Sequence, residues 1–567
     1  MADAVVFIDW FVICIYLLSI ILIGISTARK VKSSSNFFIT DRKFGKVMMT
    51  FLAFGTGTNT DQAVSVASKT YTSGASGIWY QWLWLFATPF YWLLAPLFRR
   101  MRAVTIADYL LARYGKSVAV LFALVGIIQL AVNIGVVLKA SGAMITAVSG
   151  GAISATFAII LMTILFVIYG VAGGLRAAII TDSIQGVLTI VLSFLLLPFA
   201  LSVVGGLDGL RASLDDPSVF QIVAPGEITT LYIIVIAVNG LVGWVATPYS
   251  MAMVGAGKTD REARIGLVGG MFLKRICTIA WVLTAMCGIG LYAGTTIDPD
   301  QIYGLMARDL LPTIGPGLVG LFIASMLAAV MSSCDAMMVS AAALFTENIY
   351  KPYLRPDYED RHYITIGRIA SIVVVIGAIF ISFGLSSVVQ GLEIFWEITA
   401  MMGISIWVSF FWRRATVAGA WASTLGGFAA WFFTSTIDFI GWDFNGLFSH
   451  YLPHFMLYNG ILSLPAQMII YLSVSLVAMV VVSLCTKPPN KERLDRIYEC
   501  LRTPVQSEEP EVEPLTLPEG TKPAPRSVLI DHPAFEFPKP TFETLVGFFL
   551  AWIGVAALIG CFVWILS

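Results

Sequence analysis

Nine residues, "FGTGTNTDQ" at positions 54–62, interrupt an otherwise apolar run with two glycines, three threonines, Asn59, Asp61 and Gln62. Glycine and threonine are weak helix formers. A carboxylate within an apolar segment is costly unless it meets a partner or a cavity. The stretch suits an unwound helix whose freed carbonyls and polar side chains face a hydrophilic ligand. A second polar set lies in "ASMLAAVMSSCDAMMVSAAALF", with adjacent hydroxyls at Ser332 and Ser333 and a carboxylate at Asp335. Ser332 and Asp335 are three apart and share a helix face. Hard cations take oxygen ligands, so paired hydroxyls beside an unwound segment offer a cation site. Membrane serines also bond back to the carbonyl four residues earlier, and for the serines alone that local role is the stronger reading. A third stretch, "VNGLVGWVATPYSMAMVGAG", repeats the interruption with Gly240, Gly243 and Pro248. Paired interrupted segments mark inverted-repeat secondary transporters; small residues that only let helices pack closely are the plainer alternative.

These residues need a membrane scaffold. The 567 residues are 58% hydrophobic and only 12% charged, with a mean hydropathy of +0.84. Too few charges remain for a solvated surface, so the chain reads as an all-α polytopic membrane protein. Apolar windows of roughly 20 residues, enough to cross the hydrocarbon core, fall at 4–27, 46–71, 77–98, 117–146, 153–172, 179–203, 229–255, 265–293, 313–346, 363–386, 389–412, 415–435, 462–485 and 542–566. Fourteen transmembrane helices are expected. The ionisable residues inside them include Asp61, Lys69, Lys139, Asp182, Lys274, Arg275, Asp335, Glu393 and Glu397, with Asp9 near the outer end of the first.

Charge tests the count. Loops after odd-numbered spans, Lys46 at a boundary included, hold 28 of the 35 Lys and Arg, and loops after even-numbered spans hold only Arg211 and Arg308. The positive-inside rule then makes the odd loops cytoplasmic and leaves both termini extracellular or periplasmic. The expected location is the plasma or inner membrane, as a multi-pass protein in the lipid bilayer. Zero net charge gives no case for nucleic acid as a partner. Seven scattered cysteines and four histidines give neither a disulfide framework nor a structural metal site. No nucleophile elbow, kinase signature or nucleotide fingerprint appears, so an enzyme is not expected. The Pro- and Glu-rich stretch 486–541 reads as a flexible cytoplasmic linker.

Several segments together resemble the sodium:solute symporter family, which includes bacterial sodium/galactose, sodium/proline and sodium/sialic acid cotransporters. They are "AAVMSSCDAMMVSAAALFTENIYKPY", "GGLRAAIITDSIQ", "FFWRRATVAGAWAS" and "GAGKTDREAR" followed by "FLK". The resemblance covers spans 1 to 12. It implies a LeuT-type fold: a core at 46–412 built from two inverted five-helix repeats, 46–203 and 229–412. Residues 1–45, flanking helices at 413–485, the linker 486–541 and a last helix at 542–567 complete the chain. It also implies that sodium binds the carbonyls of Gly55, Thr58 and Ala329 and the hydroxyls of Ser332 and Ser333. Asp182 matches the family's acidic residue beside that site, and Asp335 could join it around a second ion. On the solute side, Gln62, Gln81 and Lys274 align with sugar-contacting residues of the galactose branch, and Asn59 and Asp61 join this set. Gly240 and Gly243 depart from that branch, and Lys274 could instead pair with Asp61 or meet a substrate carboxylate.

The expected activity is sodium-driven symport of a small polar solute, a sugar or polyol being favoured. The alternatives are a symporter for an amino acid or small carboxylate, a transporter-like solute sensor, and coupling to protons through Asp182 or Asp335.

Overall fold

The computed structural model describes residues 6–28, 44–103, 105–224, 227–437, 441–510 and 512–567, without the side chains of 21, 23–28, 169–183 and 252. The chain is helical almost throughout: α1 (Phe7–Ala28), α2 (Lys46–Gly57), α3 (Thr60–Ser73), α4 (Thr88–Arg100), α5 (Lys116–Val148), α6 (Ala155–Leu195), α7 (Thr230–Trp244), α8 (Ser250–Gly255), α9 (Asp260–Leu291), α10 (Leu318–Phe345), α11 (Asp360–Gly384), α12 (Val388–Phe411), α13 (Val417–Thr434), α14 (Leu464–Cys485), α15 (Lys491–Arg502) and α16 (Phe542–Leu566). Two short hairpins pair 436–437 with 442–443 and 457–458 with 461–462.

Local chemistry sets many helix starts. A hydroxyl or amide just before the apolar run accepts an otherwise unpaired backbone N–H of the first turn. Ser154, Thr229, Thr259, Ser387, Thr416, Ser463 and Thr541 do this for α6, α7, α9, α12, α13, α14 and α16. Asp9 is drawn inward rather than left at an interface. It is 2% exposed, and its Oδ1 accepts the Gly320 amide at 2.8 Å in the first turn of α10.

Among the described residues, eight helices are long and apolar enough to cross a membrane, and shorter apolar helices lie at Phe7–Ile20, Ala155–Ile168 and Thr230–Trp244. Eleven of the fourteen expected windows coincide with one of these helices, while 46–71, 77–98 and 415–435 fall on shorter or less apolar helices outside this set. Windows 153–172 and 179–203 share the continuous helix α6. No proline falls between 155 and 195, and a Gly-Gly pair costs only about 2 kcal/mol in a helix, so nothing local ends it.

Helix α10 is the most enclosed span and packs against α6, α5 and α1, while α2 lies along α9. Both expected interruptions are present. The first falls at Thr58 and Asn59, between α2 and α3; the second at 245–249, between α7 and α8. The second break is displaced from Gly240 and Gly243, which remain helical. A Cβ on Gly240 would lie 2.7 Å from Leu83, and one on Gly243 2.8 Å from the Thr399 hydroxyl. These glycines let α7 approach its neighbours, and the unwinding belongs to the segment around Pro248.

The expectation of a flexible linker at 486–541 is corrected. This stretch forms α15 and then an extended path docked on the helix ends. Arg102 donates to both oxygens of Glu509 at 2.6 and 3.0 Å, with both side chains buried. The Leu515 amide donates to the Met101 carbonyl, and the Tyr498 hydroxyl to that of Ser409. Arg413 binds Glu536 at 2.6 Å and also pairs with Asp495. The average composition is that of a disordered chain, but a few buried ion pairs and backbone bonds anchor it.

Candidate functional site

A helix end leaves its last four carbonyls without intrahelical donors. At the end of α2 those carbonyls serve two different neighbours. The Gly55 oxygen lies 3.3 Å from the Ser333 hydroxyl of α10, and the Thr58 amide turns back to it at 3.4 Å. The Gly57 oxygen accepts Lys274 Nζ of α9 at 2.6 Å and Gln62 Nε2 at 3.2 Å. The break thus separates two polar clusters, one toward α10 and one toward α9.

The α10 cluster gathers oxygen. Ser333 also contacts Asn59 Oδ1. Asn59 stands at the N-cap position of α3, yet its side chain does not cap that helix. A serine hydroxyl has one hydrogen, and two acceptor oxygens converge on it. The Thr58 and Ser332 hydroxyls are buried without a hydrogen-bond partner among the described residues. Ala329 is one helical turn before Ser333, on the same face, and Ala329, Ser332 and Ser333 are all fully buried. The Thr60 hydroxyl ties the start of α3 to the Met326 carbonyl at 3.3 Å. Convergent buried oxygens with too few protons among them form an environment suited to a hard cation.

Asp335 follows within a turn on α10. It is fully buried, and neither carboxylate oxygen has a partner among the described residues. Asp182, expected beside it, lies on α6 among the side chains outside the described set.

The α9 cluster lines a small cavity of about 40 Å³, room for about three waters. Its polar lining includes Asp61, Gln62, Asn133, Thr247, Lys274 and Arg275, and Trp84, Tyr91, Trp244 and Tyr249 form aromatic walls. Asp61 and Lys274 therefore face one space, but no ion pair within 4 Å joins them: Lys274 is turned to the Gly57 carbonyl, and Asp61 Oδ1 has no partner. The Gln62 side-chain carbonyl is likewise buried without a donor. The expected solute set is divided. Asp61, Gln62 and Lys274 come together; Asn59 joins Ser333; Gln81 is buried with both amide atoms unpartnered and does not line the cavity.

Sequence reasoning did not assign Tyr91, Asn133 or Tyr249 to this site. Each sits on an apolar helix or turn where nothing local marks it. Arg275 carried a signal, as a charge inside a span. The remaining intramembrane charges are mostly tied to structure. Lys139 donates to the Leu385 carbonyl, and Glu397 accepts the Trp431 indole. At the far end of α3, Lys69 pairs with Glu227, and the hydroxyls of Tyr232 and Tyr80 lead in turn to Glu393.

A family model described as "Sodium:solute symporter family" matches residues 37–427. The chain is 30% identical over 203 residues to the sodium/glucose cotransporter of Vibrio parahaemolyticus, an alignment covering 32% of this chain and 37% of the relative. It is 30% identical over 223 residues to the high-affinity proline transporter of Bacillus subtilis, covering 38% and 45%. A sodium/myo-inositol cotransporter 2 of Oryctolagus cuniculus is 28% identical over 212 residues, covering 35% of this chain and 29% of its own. The chain thus spans less than half the length of these curated relatives. Among solved structures, a Na+-coupled sialic acid symporter in a substrate-bound outward-open state superposes with a TM-score of 0.70 at 18% identity, covering 86% of this chain and 99% of the other. At that identity the likeness speaks for the fold alone. The helical LeuT-like architecture and a multi-pass membrane protein follow in this coarser form.

Proposed function

Because the chain belongs to the sodium:solute symporter family, we propose that it carries a small polar solute into the cell by sodium-coupled symport, with a sugar or polyol as the favoured solute. The observation that carries this reading is the helix break at Thr58 and Asn59, whose two sides serve the two clusters. Sodium binds the carbonyls of Gly55, Thr58 and Ala329 and the hydroxyls of Ser332 and Ser333. The α9 cavity widens to admit the solute, which Asp61, Gln62 and Lys274 then hydrogen-bond while Trp84, Trp244 and Tyr249 cover its apolar faces. Asp182 and Asp335 are the candidates for a second ion. The same reading assigns fourteen crossings, with the linker side cytoplasmic and both termini outside.

Sodium held between α2 and α10 orders the last turn of α2. That turn fixes the Gly57 carbonyl, and with it Gln62 and Lys274. Ion and solute then strengthen each other's binding by the same factor. Alternating exposure of both to the two sides of the membrane, with low internal sodium favouring release, gives inward transport.

A second solute class has its own support. Asp61 and Lys274 face one cavity without pairing within 4 Å, which suits the ammonium and carboxylate of an amino acid. Uptake into proteoliposomes, with and without an inward sodium gradient, tests the mechanism; uptake indifferent to the gradient refutes it. Competition by unlabelled hexoses, polyols and zwitterionic amino acids separates the two solute classes. A sensor would bind the same solutes and accumulate none.

A further inference from the structure

A second cavity lies away from the transport path. It has a volume of about 620 Å³, within the range of about 300–1,000 Å³ typical of small-molecule sites. Its walls are α4, the start of α9, the end of α12 and the chain leading into α16. The inner wall is apolar, made by Phe90, Leu93, Leu97, Trp407 and Phe411. Phe537, from the docked segment, stacks on Phe411 with ring centroids 4.9 Å apart. The slot opens beside α16, whose Phe549, Leu550 and Ile553 are exposed as a lipid-facing helix requires.

The rim is basic. It carries Arg100, Arg261, Arg264 and Lys539 against Asp260 and Glu543. Asp260 is taken by Arg100 at 2.7 Å, and Glu543 lies 4.0 Å from Arg261. Neither Arg264 nor Lys539 has a carboxylate within 4 Å among the described residues, although Asp260, whose Oδ1 is buried without a partner, and Glu543 lie close enough to attract Arg264. Arg264 reaches the Thr544 hydroxyl at 3.2 Å and packs over the Trp92 ring, while its Nε is buried with no partner. These residues sit where α4 ends and where α9 and α16 begin, the level at which spans leave the hydrocarbon. Basic pockets at this depth select anionic headgroups.

We propose that this groove holds an anionic glycerophospholipid of the bilayer, with an acyl chain along Leu93, Leu97 and Trp407 and the headgroup phosphate on Arg264 and Lys539. The lipid would join α4, α9, α12 and α16 to the docked segment, making the ordering of 504–544 dependent on membrane composition.

The test uses the full chain purified in a non-ionic detergent and freed of native lipid. Phosphatidylglycerol, phosphatidylcholine with the same acyl chains, and inorganic phosphate are each added, and thermal unfolding and retained lipid (by mass spectrometry) are measured. Phosphatidylglycerol is expected to be retained and to raise the midpoint, while the other two leave it unchanged. Lys539→Gln and Arg264→Gln should each weaken the response roughly five-fold. Leu97→Trp, which narrows the slot at its apolar wall and spares the rim, should reduce retention. Lys539→Gln alters an exposed side chain, so its result does not depend on refolding a core. Equal effects of phosphatidylcholine would overturn the headgroup assignment, and a matching effect of free phosphate would overturn the lipid. An unchanged response in both rim variants would overturn the site.

Discussion

Ser333→Ala isolates the ion cluster. The hydroxyl touches the Gly55 carbonyl at 3.3 Å and Asn59 Oδ1, and in the proposed site it is also a sodium ligand. A hydrogen bond to a charged partner is worth about 1.5–3 kcal/mol, and each 1.4 kcal/mol is about tenfold in affinity. The sodium concentration for half-maximal uptake should therefore rise roughly ten- to hundredfold. Linkage requires the apparent solute affinity to fall at subsaturating sodium, by no more than the coupling factor, and to recover as sodium is raised. Ser333→Thr keeps the hydroxyl and should return most of the sodium affinity. The assay is initial uptake into proteoliposomes over a matrix of sodium and solute concentrations. A loss of uptake that sodium cannot restore would point to damaged packing. A half-maximal sodium concentration equal to wild type would refute the ligand role of Ser333.

Other outcomes follow from single contacts. Asp335→Asn should raise the thermal midpoint in sodium-free detergent, because it removes an unpaired buried carboxylate; the gain should shrink in sodium if the carboxylate faces an ion. Gly403→Ala places a Cβ 2.0 Å from the Val242 carbonyl oxygen, and overpacking against backbone should cost about 1–3 kcal/mol, read as a lower unfolding midpoint. Glu509→Gln weakens a buried charge pair with Arg102 and should speed proteolytic cleavage within 503–525, leaving the membrane core intact on a gel. Lys274→Met removes the donor to Gly57 and should cut solute affinity at saturating sodium by tenfold or more in uptake kinetics.

The break in the second span was legible because its cause is local. Residues 54–62 are poor helix formers where lipid rewards a helix, and α2 duly ends at Gly57. The second interruption was located only to within a few residues. Glycine was read there as a breaker, but Gly240 and Gly243 meet neighbouring helices at contact distance and stay helical. That Gly55 meets Ser333, 278 residues away, came from family resemblance, since no spacing rule reaches so far. Tyr91, Asn133 and Tyr249 were invisible as site residues because only tertiary convergence distinguishes them from other polar groups in spans. The segment 486–541 was misread for the opposite reason. Its average composition is that of a disordered chain, while Glu509, Glu536 and Tyr498 hold it individually.

The two carbonyls at the end of α2 have a mechanical meaning. At 100° per residue, the oxygens of Gly55 and Gly57 point about 200° apart around the helix axis, one to Ser333 and the other to Lys274 and Gln62. A small twist of that last turn moves both together, so it acts as a torsion bar two peptide units long. Slippage, in which sodium crosses without its passenger, is then governed by the stiffness of those two peptides. Uncoupled variants should cluster at residues 55–59 rather than scatter through the bundle.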